Sequence, residues 1–109
     1  MFNRELLKGS TSLLVLQLLD KEDMYGYQLV KEMKKQSEET LEVKEGTLYP
    51  ALHKLEEKAC IKSYWKEQDR GPARKYYAIT DEGRSVLSVK TKEWNSFVKM
   101  VNRFLEKPL

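Results

Sequence analysis

The stretch RGPARKYYAIT, residues 70–80, sets a Gly-Pro pair and three bases at the head of a run that reads as a β-strand. Gly-Pro punctuates a turn, and Tyr, Ile and Thr suit a pleated, half-buried surface. Immediately upstream, IKSYWKEQ, residues 61–68, has the same character, and DRGP, residues 69–72, separates the two runs. Two strands and a tip predict a β-hairpin. From Lys62 to Lys75 the hairpin carries five bases (Lys62, Lys66, Arg70, Arg74, Lys75) against two acids (Glu67, Asp69). That local excess equals the net charge of the whole chain, +3, from 20 Lys and Arg against 17 Asp and Glu in 109 residues. Composition alone therefore does not announce a polyanion partner; only the hairpin does. Charge by itself is equally compatible with a solvated hairpin, so the order of the elements around it has to decide.

Upstream, EGTLYPALHKLEEKA, residues 45–59, puts Leu48, Leu52, Leu55 and Ala59 on one helical face, with Thr47, Pro50, His53, Lys54 and Glu57 opposite and Tyr49 at the boundary. Pro50 has no N–H and is tolerated near a helix start, which places that start within about a turn of Gly46. MYGYQLVKEMKKQ, residues 24–36, spaces Tyr25, Leu29 and Met33 by four and predicts a short amphipathic helix. A first helix is expected from Asn3 to Asp20. Leu13, Leu14, Val15, Leu16, Leu18 and Leu19 make its second half apolar nearly all round, so it needs two packing partners.

Downstream of the hairpin, Thr80 is a candidate N-cap and Asp81 and Glu82 suit the positive end of a helix. The helix is expected to run to about Lys107, before Pro108. About 25 residues at about 1.5 Å each make a rod of roughly 37 Å, longer than a domain of this size covers. Leu87, Trp94 and Val101 repeat at seven, as do Phe97 and Phe104, and Val98 and Leu105 widen the stripe. A second copy of the chain is expected to bury it, joined by Leu14 and Leu18 of the first helix.

Three helices followed by a hairpin is the order of a winged helix-turn-helix. The expected fold is mainly α with a small β-hairpin: a winged helix-turn-helix over residues 1–80 and a dimerisation helix over residues 81–109. In that arrangement the third helix enters a major groove and the hairpin tip lies along the backbone or minor groove. Candidate DNA contacts are Thr47, Tyr49, His53 and Lys54 on the helix, although a tyrosine beside a leucine stripe is as readily a packing residue and His53 an ordinary surface one. In the wing they are Arg70, Gly71, Arg74 and Lys75. Tyr76 and Tyr77 point to opposite faces of their strand, so at most one of them packs on the core, and parity alone does not choose which. Nothing here forms a nucleophile elbow or a phosphate-cradling glycine loop, and one cysteine with one histidine is too thin a set for zinc; no enzyme, cofactor or metal is expected. The longest apolar run, Leu13 to Leu19, is far short of a bilayer span, and a cytoplasmic protein is expected.

MYGYQL, GTLYPALHKLEE and RKYYAITDEGR, in this order, resemble the motifs of the PadR family of bacterial transcriptional regulators. The resemblance spans nearly the whole chain. It implies a homodimeric winged-helix repressor on a palindromic double-stranded operator, and the single helix after the wing resembles the short subgroup of the family. Some short members resemble sensors of multidrug or aromatic ligands with a pore at the dimer centre. For this chain that implies a planar aromatic effector against Trp94, Phe97, Leu13 and Gln17, where Trp94 as a plain dimer anchor is the alternative. One departure is Ala59, where the family commonly has Gly after the third helix. A left-handed backbone there would cost Ala about 1 kcal/mol relative to Gly. The competing reading of the whole chain is a winged-helix protein-interaction module without specific DNA binding.

Overall fold

The segment expected as one helix from Asn3 to Asp20 is two. In the computed structural model of the chain, which describes residues 2–106, α1 (Arg4–Lys8) stops at Gly9 and α2 (Thr11–Lys21) begins after Ser10. The cause is local. The carbonyl of Leu7 accepts from the Ser10 N–H at 3.0 Å, from Ser10 Oγ at 3.0 Å and from Thr11 Oγ1 at 3.3 Å. Hydroxyls at successive positions thus occupy the acceptor a continuous helix would need, beside a glycine that adds backbone freedom. α2 is the central helix its composition predicts, with Val15, Leu16, Leu18 and Leu19 all buried.

After α2 come β1 (Met24–Tyr25), α3 (Gly26–Gln36), α4 (Glu45–Glu57), β2 (Ile61–Lys66), β3 (Arg74–Ile79) and α5 (Asp81–Leu105). The expected hairpin is present, with Ile61 opposite Ile79 and Lys66 opposite Arg74. It belongs to a three-stranded antiparallel sheet of order β1-β3-β2, in which Met24 faces Tyr77 and Tyr25 faces Tyr76. Two residues are too few for a period of two to register in a sequence, which is why β1 escapes the pattern. Its pairing also resolves the tyrosine pair: Tyr77 is buried and Tyr76 is half-buried on the other face. The predicted helix end at Lys107 and Pro108 lies outside the described residues.

α4 begins at Glu45 with Lys44 extended before it, within a turn of Gly46 as expected, and Pro50 falls in the second turn, where it has no N–H to donate to the Gly46 carbonyl. Its far end is a Schellman turn: the Cys60 N–H donates to Leu55 O at 2.9 Å and the Ala59 N–H to Glu56 O at 3.0 Å. Ala59 occupies the left-handed position at φ 60°. The loop from α3 to α4 holds two more such residues, Glu38 and Glu39 at φ 54° and 67°, and is closed by Ser37 Oγ accepting from the Leu41 N–H at 2.9 Å.

Thr80 fastens this turn to α5. Its N–H donates to Cys60 O at 3.1 Å and its hydroxyl to Ala59 O at 2.6 Å, while the same Oγ1 accepts from the Gly83 N–H at 3.0 Å. Gly83 is buried directly against the turn. A β-carbon there would collide with the carbonyl oxygen of Cys60 and stand 2.8 Å from Cγ1 of Ile79. The apolar core continues from Leu16, Leu19, Leu29, Leu48, Leu52 and Ile61 up to Leu87, so the start of α5 belongs to it.

Two opposite outcomes are expected in thermal unfolding followed by circular dichroism. Ala59→Gly removes a left-handed alanine and raises stability by about 1 kcal/mol. Gly83→Ala forces the turn and α5 apart and lowers it by about 2 kcal/mol or more.

Candidate nucleic-acid interface

α4 turns Leu48, Leu52 and Leu55 inward and leaves Thr47, Tyr49, Pro50, His53, Lys54 and Glu57 exposed. Helical geometry sets Pro50 and His53 near the middle of that outer face, with Tyr49 and Thr47 towards opposite edges. Tyr49 is 44% exposed and packs at the same time: a β-carbon on Gly26 would lie 2.9 Å from its Cζ and closer still to its hydroxyl. Only glycine at position 26 lets this ring lie over the start of α3. His53 Nε2 is 2.6 Å from Glu57 Oε1, one turn on. Lys54 stands at the rim of a groove of about 710 Å³ that it shares with Lys8, Lys58 and Lys90, between α4 and α5.

The wing turns at Gly71, whose φ of +83° is a glycine conformation, and Arg70 and Pro72 beside it are exposed. All five wing bases are exposed, and none makes an ion pair among the described residues. Strand parity divides them. On one face the Arg74 guanidinium lies 4.6 Å from the ring centroid of Tyr25 and Lys66 Nζ lies 5.1 Å from that of Tyr76. Tyr76 stands between Tyr25 at 5.4 Å and a stacked Tyr64 at 5.8 Å. Tyr64 closes the row by donating to Asp23 Oδ2 at 2.6 Å, just before β1, and this bond to a carboxylate holds its proton on and raises its pKa. Arg74 is therefore committed to stacking against the entry to α3, whereas Arg70 at the tip is free.

The other face carries Ile61, Ser63 and Trp65 opposite Ile79, Tyr77 and Lys75. It is the face α4 packs on: Ser63 Oγ donates to Glu56 Oε2 at 2.6 Å. Burial first, then the neighbouring Tyr49 and Glu56, raises the pKa of Tyr77. Lys75 Nζ lies 5.7 Å from the Tyr77 ring, and Trp65, its cross-strand partner, is 69% exposed.

A second region lies along α5. Leu13, Trp94 and Phe97 line one groove of about 390 Å³ between the first two helices and α5, with Trp94 and Phe97 ring centroids 6.4 Å apart. Gln17 is not brought to them; it lines a separate groove with Asp20, Arg84 and Thr91. Phe104 and Leu105 are exposed, and Leu14, Val98 and Val101 are half-buried. Leu18 and Leu87, expected on the seam, lie inside the chain's own core at 4% and 8% exposure, which narrows the open apolar stripe to the more distal residues. Among the described residues no group of three or more His, Cys, Asp or Glu could hold a metal ion, and no helix is long and apolar enough to cross a membrane.

Tyr25, Tyr64, Asp23, Gly26, Gly83 and Trp65 complete this architecture, and sequence reasoning missed them as functional residues. The short β1 conceals the first three, because the aromatic row exists only once β1 pairs with β3. Gly26 and Gly83 sit inside MYGYQL and RKYYAITDEGR, where a glycine within a helical pattern is the available signal of close packing.

The profile of the transcriptional regulator PadR-like family matches residues 15–89. A transcriptional regulator from Clostridium thermocellum is 35% identical, with a TM-score of 0.88 over 95% of this chain and 98% of that one. A PadR-like transcriptional regulator from Bacillus cereus is 32% identical, with a TM-score of 0.82 over 95% and 99%. A PadR family transcription regulator from Clostridium difficile is 39% identical, with a TM-score of 0.76 over 88% and 98%. The chain belongs to the PadR-like family of transcriptional regulators.

The Tyr77 environment gives a pH prediction with a definite sign. A phenol whose folded pKa lies above its unfolded value of about 10 contributes stability that is complete below about pH 10 and is lost as pH rises through the folded value. Urea midpoints are expected to fall as pH rises above about 10 in the native chain and to fall less in Tyr77→Phe.

Proposed function

We propose that this family member is a homodimeric, DNA-binding repressor of the cytoplasm whose grip on a palindromic operator is relieved by a small planar aromatic or multidrug-type effector. The observation that carries the DNA reading is the unpaired basic wing beside the exposed face of α4. Bases without internal ion pairs are held in place by a stacked aromatic row, and phosphate oxygens are the acceptors they lack.

In this reading α4 enters the major groove, with His53 foremost and Thr47 at one edge. Tyr49 reaches DNA from the edge while keeping its packing on Gly26, and Lys54 contributes charge at the other edge. Arg70 and Lys75 take phosphates, Gly71 lets the tip backbone approach closely, and Arg74 contributes from its stack on Tyr25. Residues 1–80 form the DNA-binding unit and residues 81–109 the dimerisation helix, tied to it through Gly83 and Leu87. Two copies bury Trp94, Phe97, Val98, Val101, Phe104 and Leu105 of α5 with Leu14 of α2, which sets the two α4 helices about one helical turn of DNA apart. The effector lies between the two copies of Trp94, against Phe97 and Leu13, and shifts DNA affinity by its preference for one spacing of the α4 helices.

Fluorescence anisotropy on the duplex upstream of the chain's own gene, beside a scrambled duplex at roughly 0.15 M salt, tests the central claim. Selective binding supports a regulator, and binding to neither supports the interaction-module alternative. In Arg70→Ala the slope of log affinity against log salt is expected to become shallower by about 0.9 for every phosphate that Arg70 neutralises in the native complex. Sedimentation is expected to give twice the chain mass at micromolar concentration, and planar aromatics are expected to quench Trp94 and lower operator affinity together.

A further inference from the structure

Every aromatic of the sheet except one has a partner. Tyr25, Tyr64 and Tyr76 form the outer row, and Tyr77 is buried with Lys75 over its ring. Trp65 alone has no aromatic or cationic group against its ring among the described residues, and at 69% it is the most exposed aromatic of the wing. An indole is the most expensive side chain to leave in water and carries one N–H that seeks an acceptor.

Its position is specific. Trp65 follows Ser63 on the face that α4 packs on, about 6.7 Å farther along the strand and one rung from the end of the ladder. It therefore opens on the cleft between α4 and the wing tip. Lys75 stands directly opposite, with Arg70 beyond in the tip, while Lys66, next in sequence, lies on the other face over Tyr76. Those bases select the occupant. A second copy offering the same surface would bring Lys75 and Arg70 against like charge, whereas a nucleic-acid backbone supplies both an apolar sugar face and the missing negative charge.

We infer that Trp65 is a DNA contact of the wing: the indole lies flat against a deoxyribose at the wall of the groove, with Nε1–H aimed at a phosphate oxygen and Lys75 on the neighbouring phosphate. This rests on the DNA-binding reading above and adds to it an uncharged anchor that salt does not weaken. The wing then holds the duplex in two ways: charges that respond to ionic strength, and a buried ring that does not.

The test uses the full chain and a duplex it selects from a random-sequence library. Acrylamide, a neutral quencher, reads exposure of Trp65 and Trp94 together. Saturation with the duplex is expected to cut the quenching slope of the native chain by about half and to leave that of Trp65→Phe unchanged. Trp65→Ala is expected to bind about tenfold more weakly with an unaltered salt slope, where Lys75→Ala loses slope. Full affinity in a folded Trp65→Ala, or undiminished quenching in a native complex that anisotropy shows to be formed, overturns the assignment. So does conversion of Trp65→Ala to a monomer in sedimentation, which would give the indole to a contact between copies. Failure to select any duplex removes the DNA reading itself, and the Trp65 contact with it.

Discussion

One left-handed turn and one hydroxyl hold the parts of this protein in register. Where α4 ends, the carbonyls of Ala59 and Cys60 both point at Thr80, which caps α5 with the same oxygen that donates to Ala59. The turn also begins β2, and Thr80 follows directly on β3. Four elements thus meet at a point closed by hydrogen bonds, and the absent side chain of Gly83 allows them to meet. The angle between α4 and the wing, and the direction in which α5 leaves the core, are fixed by that one junction.

The wing is braced a second time from its outer face. Asp23, Tyr64, Tyr76, Tyr25 and Arg74 form a continuous path from the end of α2 across the sheet to the start of α3. Tyr49 on Gly26 then connects α4 to the same place. A basic hairpin would be expected to wave in water. Here part of its positive charge is spent on its own aromatic rings, which places the remainder.

How much of this was legible follows the length scale of each signal. Helical stripes of a dozen residues declared themselves, down to the start of α4 set by Pro50. The hairpin followed from composition and a Gly-Pro turn; its register did not. The break at Gly9 did not, because it depends on which carbonyl two adjacent hydroxyls choose. β1 did not, because two residues have no period. Among the candidate sites, parity correctly made Tyr76 and Tyr77 unlike, but only the pairing with β1 shows that Tyr77 is the one inside. Leu18 and Leu87 read as seam residues because a heptad pattern cannot distinguish the chain's own core from a partner's surface. The left-handed Ala59 was flagged only as a condition, because the resembling family commonly has Gly at that place; the Schellman turn at the end of α4 is what imposes it.

The extent of the molecule, 62 Å along its long axis against 29 and 21 Å across, comes largely from α5. Leu87 is the last residue of this helix inside the core, and about 27 Å of rod continues beyond it to Leu105. Such a rod is a lever with its fulcrum at Gly83 and Leu87. A pivot of about 5° there carries the distal end through about 2.4 Å, and a displacement imposed on the distal end returns to the fulcrum as a small, stiff rotation. The collision space at Gly83 is so tight that the helix has little slack in which to absorb that motion. Mechanical gain and a tight bearing at one site make the junction with α4 the place where a displacement of α5 would appear as angle.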